Sequence, residues 1–245
     1  MVRVDAAVGS RQRLSPLLRG HLLLFDRRPA PVYSARMGVR LLFTAVLVEI
    51  VRLAAVRWLY PGIPRWLLLP LLLGFALLVV PGIAGLRLSQ LGFRRWRDWT
   101  VTERSYFLQV VIIANVVFPV VFAAPLGNRM AQPGMAWNLW SVFVPYLFFG
   151  FYQELVYRGM VQLELVRRLG VPVGILVANV LYTFGPLHSY YFSSRASLAG
   201  PMFASIFVMG LFFGVVFRRS GNLWIVAIFH AIGNAYVVTS LGPVR

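Results

Sequence analysis

Three apolar stretches of the sequence each place an ionisable side chain four residues from a polar, charged or aromatic one. The pairs are Glu154 with Arg158, Phe184 with His188, and His230 with Asn234. On an α-helix, residues i and i+4 lie on one face, so each pair can point toward a common interior. A charge at the centre of a bilayer costs about 2.5–3.5 kcal/mol on insertion scales. If these stretches are membrane helices, their ionisable residues are candidates for function.

One glutamate, two histidines and an asparagine support two kinds of hydrolytic site. Zinc could be held by Glu154, His188 and His230, with one position left for water, but no HExxH helix exists, so the ligands would come from three helices. In a metal-free site, a carboxylate and a histidine activate water while the second histidine and Asn234 stabilise an oxyanion. We expect no cofactor, with zinc as the second alternative. Both versions predict hydrolysis of a peptide bond in or near the bilayer.

Some of these residues also have simpler interpretations. Glu154 and Arg158 alone would fit an ion pair within one helix, and Glu49 with Arg52 predicts a structural pair of that kind. His21 lies in a polar segment and is interpreted as solvated. The functional interpretation is favoured because the other two histidines fall near a glutamate, an arginine and an asparagine in three neighbouring apolar stretches.

Composition indicates an all-α, polytopic integral membrane protein. The chain has 245 residues, of which 59% are hydrophobic and 13% charged, and soluble domains usually carry about 25% charged residues. Its mean hydropathy is +0.75, and apolar runs of about 20 residues, enough to cross a bilayer as a helix, recur along it. It has no cysteine, which excludes disulfides and thiolate sites.

The sequence predicts about seven transmembrane helices plus interfacial helices. The spans are about 38–56, 66–86, 106–125, 139–160, 171–192, 200–217 and 222–241. Residues 1–37 form an Arg-rich N-terminal segment without the features of a cleaved signal peptide, and 38–245 form the transmembrane domain. The loop "GFRRWRDW" interleaves tryptophans and arginines, which is typical of a helix at the membrane interface.

The arginines predict the orientation of the chain. All 24 basic residues are Arg, and they lie between the apolar runs, which argues against a nucleic-acid partner. One side of the membrane would hold only Arg57, Arg65, Arg129, Arg195 and Arg245. Most of the others fall on the opposite side, so the positive-inside rule places the N-terminus in the cytoplasm. An Arg-only chain indicates a GC-rich bacterial genome, so we expect the bacterial inner membrane.

The three motif stretches resemble a known family. "QELVYRGMVQ", "FGPLH" and "HAIGN" are similar, in order, to the Glu-Glu-xxx-Arg, Phe-xxx-His and His-xxx-Asn motifs of the CAAX-protease and bacteriocin-processing (CPBP, or Abi) intramembrane endopeptidases. The resemblance covers about residues 139–241. It implies a core of α-helical spans with a site below the membrane surface.

The resemblance also implies a role for each motif residue. His188 would activate water together with the first Glu of the motif, His230 and Asn234 would form the oxyanion site, Arg158 would orient the acidic group, Phe184 would line the pocket, and Glu154 matches the second Glu.

Gln153 occupies the position of the first Glu. Its amide cannot accept a proton as a general base, and Glu154 lies about 100° further around an α-helix. Three explanations stay open: an engineered Glu→Gln variant, which we favour, a natural non-catalytic relative, or a rearranged site in which Glu154 is the base.

We therefore expect an intramembrane endopeptidase that is inactive in this form because of Gln153. Its partners would be the lipid bilayer and a membrane-anchored substrate with a leader peptide or a C-terminal sorting tail, because prenylated substrates are not expected in a bacterium. The alternative is a non-catalytic binding or immunity protein. A small transporter would show inverted repeats, and none is evident in the sequence.

Overall fold

The protein is described as a computed structural model covering residues 31–60, 62–131, 134, 137, 139–188 and 199–241. Within these residues the chain forms helices and no strand, which confirms the all-α prediction. The α-helices are α1 (Ala35–Ala54), α2 (Arg65–Val79), α3 (Val101–Val121), α4 (Ala123–Met130), α5 (Val144–Glu154), α6 (Leu163–Leu169), α7 (Val171–Phe184), α8 (Ala199–Ser220) and α9 (Leu223–Leu241). Four π-helical segments extend or join them, Ala55–Leu59, Val80–Ala84, Leu139–Phe143 and Leu155–Gln162.

Polar side chains at the helix starts bind the backbone N–H groups that lack a partner within the helix. The Ser34 hydroxyl accepts from the Met37 N–H at 3.2 Å at the start of α1. Thr100 and Glu103 form a reciprocal capping box at the start of α3. Ahead of α9, the Asn222 carboxamide oxygen accepts from the Trp224 N–H at 3.2 Å. These caps fix where three of the helices begin.

In the part of the chain that the structure describes, three helical segments are long and apolar enough to cross a membrane: Arg65–Ala84, Val101–Val121 and Ala199–Ser220. Two further apolar helices, Val171–Phe184 and Leu223–Val237, are shorter. Only 6% of the apolar window in α3 is buried inside the protein, although its mean hydropathy is 1.7. A helix of this kind needs an apolar solvent around it, which agrees with a membrane protein. The number of passes and their direction stay predictions.

The arginine-bearing segments meet at one end of the helix bundle, which we call the basic end. The Tyr33 hydroxyl, ahead of α1, donates to the Glu164 carboxylate in α6 at 3.0 Å. Arg94, in the loop before α3, donates from Nε to the Gly221 carbonyl at 2.8 Å, where α8 turns into α9. This clustering agrees with the arginine pattern of the sequence. The part of the N-terminal segment formed by residues 1–30, including His21, lies outside the described residues.

Glycines allow the site-bearing helices to approach closely. A β-carbon at Gly150 of α5 would lie 2.5 Å from the Ala231 Cα of α9, and one at Gly174 of α7 would lie 2.5 Å from the Val166 Cα of α6. Because these positions carry no side chain, the backbones of α5 and α9 touch. The motif on α5 is therefore held against the motif on α9.

Two predicted elements differ in the structure. The helix predicted over 171–192 ends at Phe184, so the prediction that Phe184 and His188 share a helical face is wrong. Gly185 is extended, with φ −69° and ψ 178°, because the following Pro186 disfavours the helical conformation there. The "GFRRWRDW" loop contains a 3₁₀ turn at Trp96–Asp98, preceded by another at Leu88–Leu91, rather than one interfacial helix.

Candidate active site

The first motif lies where the helix changes from α to π geometry. Helix α5 ends at Glu154, and residues Leu155–Gln162 continue it as a π-helical segment. Gln153 and Glu154 are 3% and 0% exposed. Both reach α9, although they are neighbours in sequence, and they contact residues one helical turn apart on it. π-Helical turns often occur at functional sites.

Glu154 forms a buried relay with one residue from its own helix and one from α9. Its Oε1 lies 2.6 Å from His230 Nδ1, and its Oε2 lies 3.3 Å from Arg158 Nε. The second contact is an ion pair without the alignment of a hydrogen bond. The first is a charge-assisted hydrogen bond in which Nδ1–H donates to the carboxylate. Because Nδ1 binds Glu154, Nε2 is the His230 nitrogen that faces away from the carboxylate.

That second nitrogen of His230 meets Tyr182 of α7. The Tyr182 hydroxyl lies 3.3 Å from His230 Nε2, so it donates to a neutral imidazole and would accept from an imidazolium. The Arg158 guanidinium lies over the Tyr182 ring, with Cζ 4.3 Å from the ring centroid. Tyr182 therefore bridges the first and third motifs, a contact that sequence reasoning missed.

His188 is brought to the same tyrosine from the turn after α7. Its Nδ1 lies 2.8 Å from the Tyr182 carbonyl oxygen, and its ring packs edge-on against the Tyr182 ring at 4.7 Å. Because Nδ1–H donates to a carbonyl, the neutral ring carries its lone pair on Nε2. That atom has the chemistry of a general base.

Gln153 pairs with Asn234, the last residue of the third motif. The Asn234 amide donates to Gln153 Oε1 at 2.6 Å. A glutamate carboxylate at position 153 would accept the same hydrogen bond, since it presents an oxygen in the same place. The glutamine is thus an isosteric replacement for glutamate that keeps this hydrogen bond but cannot accept a proton.

Phe184 is not gathered with these residues. Its side chain is 57% exposed and its ring packs against Phe203 of α8 at 5.2 Å. Its role in lining the pocket, like the catalytic roles of the other motif residues, stays a prediction.

Helix α8 holds the π-helical segment through two glycine carbonyls. Arg158 donates from Nη2 to the Gly210 carbonyl at 2.9 Å, and Gln162 donates from Nε2 to the Gly214 carbonyl at 2.8 Å. Donors and acceptors are both spaced by four residues, so the two bonds form a ladder along one face. Gln162 was not identified from the sequence, although its spacing of four residues from Arg158 is a usable signal.

We expect Gly210→Ala to destabilise the protein by about 1–3 kcal/mol, the usual cost of overpacking a core. The new methyl would overlap the Asn179 carboxamide oxygen and lie 3.0 Å from Tyr182 Cδ1. Thermal unfolding of the purified protein in detergent measures the loss. Gly74→Ala in α2 is the matched control because no atom lies within 4 Å of its added β-carbon. Equal unfolding temperatures for the two variants would contradict the packing argument.

The described residues do not contain a group of three His, Cys, Asp or Glu placed to hold a metal ion. Of the three residues considered for zinc, Glu154 uses its two oxygens to pair with His230 and Arg158. A metal on Glu154 would displace a buried guanidinium or share its carboxylate with it, and two adjacent cations repel. The arrangement fits the metal-free alternative better than the zinc alternative.

Fold and site together define an α-helical membrane protein with a buried Glu154–Arg158–His230 group and a half-buried Asn234 beside it. Residues 135–236 match the family model described as Type II CAAX prenyl endopeptidase Rce1-like. This segment contains all three motifs, and the match confirms the family resemblance drawn from them. Over this segment the chain is similar to a protease family. Neither the curated proteins nor the solved structures gave a significant match.

Proposed function

We propose that this chain is an intramembrane endopeptidase whose hydrolytic site is complete except for the general base at position 153. The observation that supports it is the convergence of the motif residues. His230 and Asn234 of α9 contact Glu154 and Gln153 of α5, and His188 and His230 both contact Tyr182. The proposed substrate is a membrane-associated protein with a leader peptide or a C-terminal sorting tail.

The contacts support a site with two halves: one half activates water, and the other, the electrophilic half, stabilises the oxyanion. In the proposed reaction, a water activated by a glutamate at position 153 and by His188 attacks the peptide carbonyl. The base takes the water's proton and returns it to the amine that leaves as the C–N bond breaks. His230, oriented by the Glu154 carboxylate, would stabilise the oxyanion together with the Asn234 amide, which donates to it. Glu154 thus serves the electrophilic half of the site. Gln153 leaves the water-activating half without its carboxylate.

The site lies well below the basic end of the bundle. His230 is seven residues into α9, so it is about 10 Å from that end at 1.5 Å per residue. Gly210, which holds Arg158, is ten residues from the end of α8, or about 15 Å. Half of a bilayer's hydrocarbon core is about 15 Å. A cleavage site at this depth suits a substrate that is itself held in the membrane.

The substrate class is tested by mapping protein termini in membranes of cells that express variants of the full chain. New termini should appear with Gln153→Glu and disappear when His188→Ala is added to the same chain. We expect them next to transmembrane segments or leader sequences. Equal sets of termini in both strains, at equal expression, would refute the endopeptidase proposal.

A non-catalytic binding or immunity protein is the second candidate. It is supported by Gln153 itself, whose carboxamide oxygen accepts a hydrogen bond from Asn234 within the site. This candidate predicts that the biological effect of the protein is lost in Gln153→Glu and kept in His188→Ala. The endopeptidase proposal predicts that His188→Ala removes whatever activity Gln153→Glu creates.

We expect the activity of the Gln153→Glu form to be insensitive to chelators such as EDTA and 1,10-phenanthroline. The reason is that both Glu154 oxygens are engaged by His230 and Arg158. Elemental analysis of the purified protein should find zinc well below one atom per chain. Loss of activity with chelator, restored by added zinc, would instead support the three-ligand alternative.

A further inference from the structure

The basic end of the bundle contains a cavity that the proposed proteolysis does not use. Its volume is about 260 Å³. It lies between α6, the end of α8, the loop before α3 and the residues that precede α1. Its lining includes Tyr33, Arg94, Arg167 and Arg218.

Three arginines line this cavity, each from a different segment: Arg94, Arg167 and Arg218. The described lining contains no acidic residue. Glu164 lies next to it and pairs with both Arg167 and Arg168. Burial raises the pKa of Glu164, but hydrogen bonds from these arginines and Tyr33 outweigh it and hold the pKa below its usual value. Among the described residues in and beside the cavity, one carboxylate therefore faces several guanidinium groups.

The rest of the wall is apolar and the backbone around it is tightly fixed. Leu163, Val166 and Phe217 provide hydrocarbon surface beside the arginines. Gly92 adopts a left-handed φ of +97°, and its carbonyl accepts from the Leu223 N–H at 2.9 Å. The loop that carries Arg94 is thus joined to the start of α9. A fixed basic pocket with an apolar wall suits a ligand that is anionic at one end and apolar at the other.

We propose that this cavity binds the phosphate headgroup of an anionic phospholipid. Guanidinium groups match phosphate oxygens in charge and geometry. The cavity lies where the helices end, the depth at which headgroups sit, and basic pockets between membrane helices bind anionic headgroups. The apolar wall would contact the glycerol backbone and the first acyl carbons. A free phosphate ester shares the headgroup chemistry but would leave this wall unused.

The test uses the purified full chain in phosphatidylcholine nanodiscs or mixed micelles, titrated with phosphatidylglycerol. Native mass spectrometry measures the bound lipid. We expect phosphatidylglycerol to bind about tenfold more weakly to Arg94→Gln and to Arg218→Gln, because a hydrogen bond to a charged group contributes at least that factor. Arg57→Gln is the matched control, because it removes the same charge at the far end of α1. Unfolding temperatures in phosphatidylcholine alone identify any variant that fails to fold, and the other variant then carries the test.

The other possible outcomes either overturn the proposal or identify a different ligand. Equal binding of phosphatidylglycerol and phosphatidylcholine would overturn the proposal. Equal weakening by all three arginine variants would also overturn it, because it would indicate diffuse surface attraction. Inorganic phosphate or glycerol phosphate binding as tightly as the lipid would identify a soluble ligand instead. An acidic peptide that binds and resists displacement by lipid would identify a protein partner.

Discussion

Gln153→Glu should raise peptide cleavage by about 10²–10⁴-fold, the usual contribution of a general base. The new carboxylate keeps the hydrogen bond from Asn234, which now lies 2.6 Å from Gln153 Oε1, so the local geometry should change little. It supplies the proton acceptor that the amide lacks. The measurement is cleavage of a reconstituted membrane peptide by the purified protein, with the uncleaved and cleaved forms separated by mass.

The same change should lower stability, because it places a second buried carboxylate next in sequence to Glu154, which already pairs with Arg158. An increase in activity together with a decrease in unfolding temperature is therefore the expected pair of results. It resembles the usual conflict between a strained active site and a stable fold.

Gln162→Glu is the matched control for this prediction. Gln162 is also buried, at 2% exposure, on the same continuous helix, so the variant adds the same buried charge outside the motif position. It should lose stability without gaining activity. If Gln153→Glu folds and stays inactive, hydrolysis is the wrong reaction for this site. If the Gln153 form already cleaves at the same rate, Glu154 is the base.

The sequence predicted the class of fold and most of the site for physical reasons. In an apolar run long enough to cross a bilayer, an α-helix forms the hydrogen bonds of the backbone N–H and C=O groups within the segment itself. The cost of burying charge made Glu154, Arg158 and His230 conspicuous in such runs. The structure brings these three together. It also gathers arginine segments at one end, as their spacing along the chain indicated.

The contacts that sequence reasoning missed depend on geometry that no single motif carries. Gln153 and Glu154 both reach α9, and the helix changes to π geometry directly after them. Helical periodicity alone predicts neither feature. Tyr182 is one aromatic residue among many, and its contacts with His188 and His230 appear only when α7 packs. Gly185 before Pro186 did carry a signal, since a residue before proline avoids the helical conformation. That signal would have placed His188 in a turn.

Glu154→Leu should lower the free energy of unfolding by about 3–5 kcal/mol, the usual effect of removing one partner from a buried ion pair. Glu154 and Arg158 are 0% and 1% exposed, so Arg158 would be left charged in an apolar interior. His230 Nδ1 would also lose its acceptor. Chemical or thermal unfolding in a fixed detergent measures the loss. Asp98→Leu is the control, since its pair with Arg95 is exposed and exposed pairs contribute little.

A double variant separates this explanation from a simple packing defect. Glu154→Leu combined with Arg158→Leu removes both charges, and apolar replacement of a whole buried pair is often neutral or stabilising. The double variant should therefore be more stable than Glu154→Leu alone, even though it also loses the hydrogen bond from Arg158 to the Gly210 carbonyl. If the loss of stability in the double variant equals the sum of the losses from Glu154→Leu alone and Arg158→Leu alone, the charge of Arg158 is not what destabilises Glu154→Leu. In a chain that also carries Gln153→Glu, recovery of the parent's stability without activity would show that the pair is kept for its chemistry.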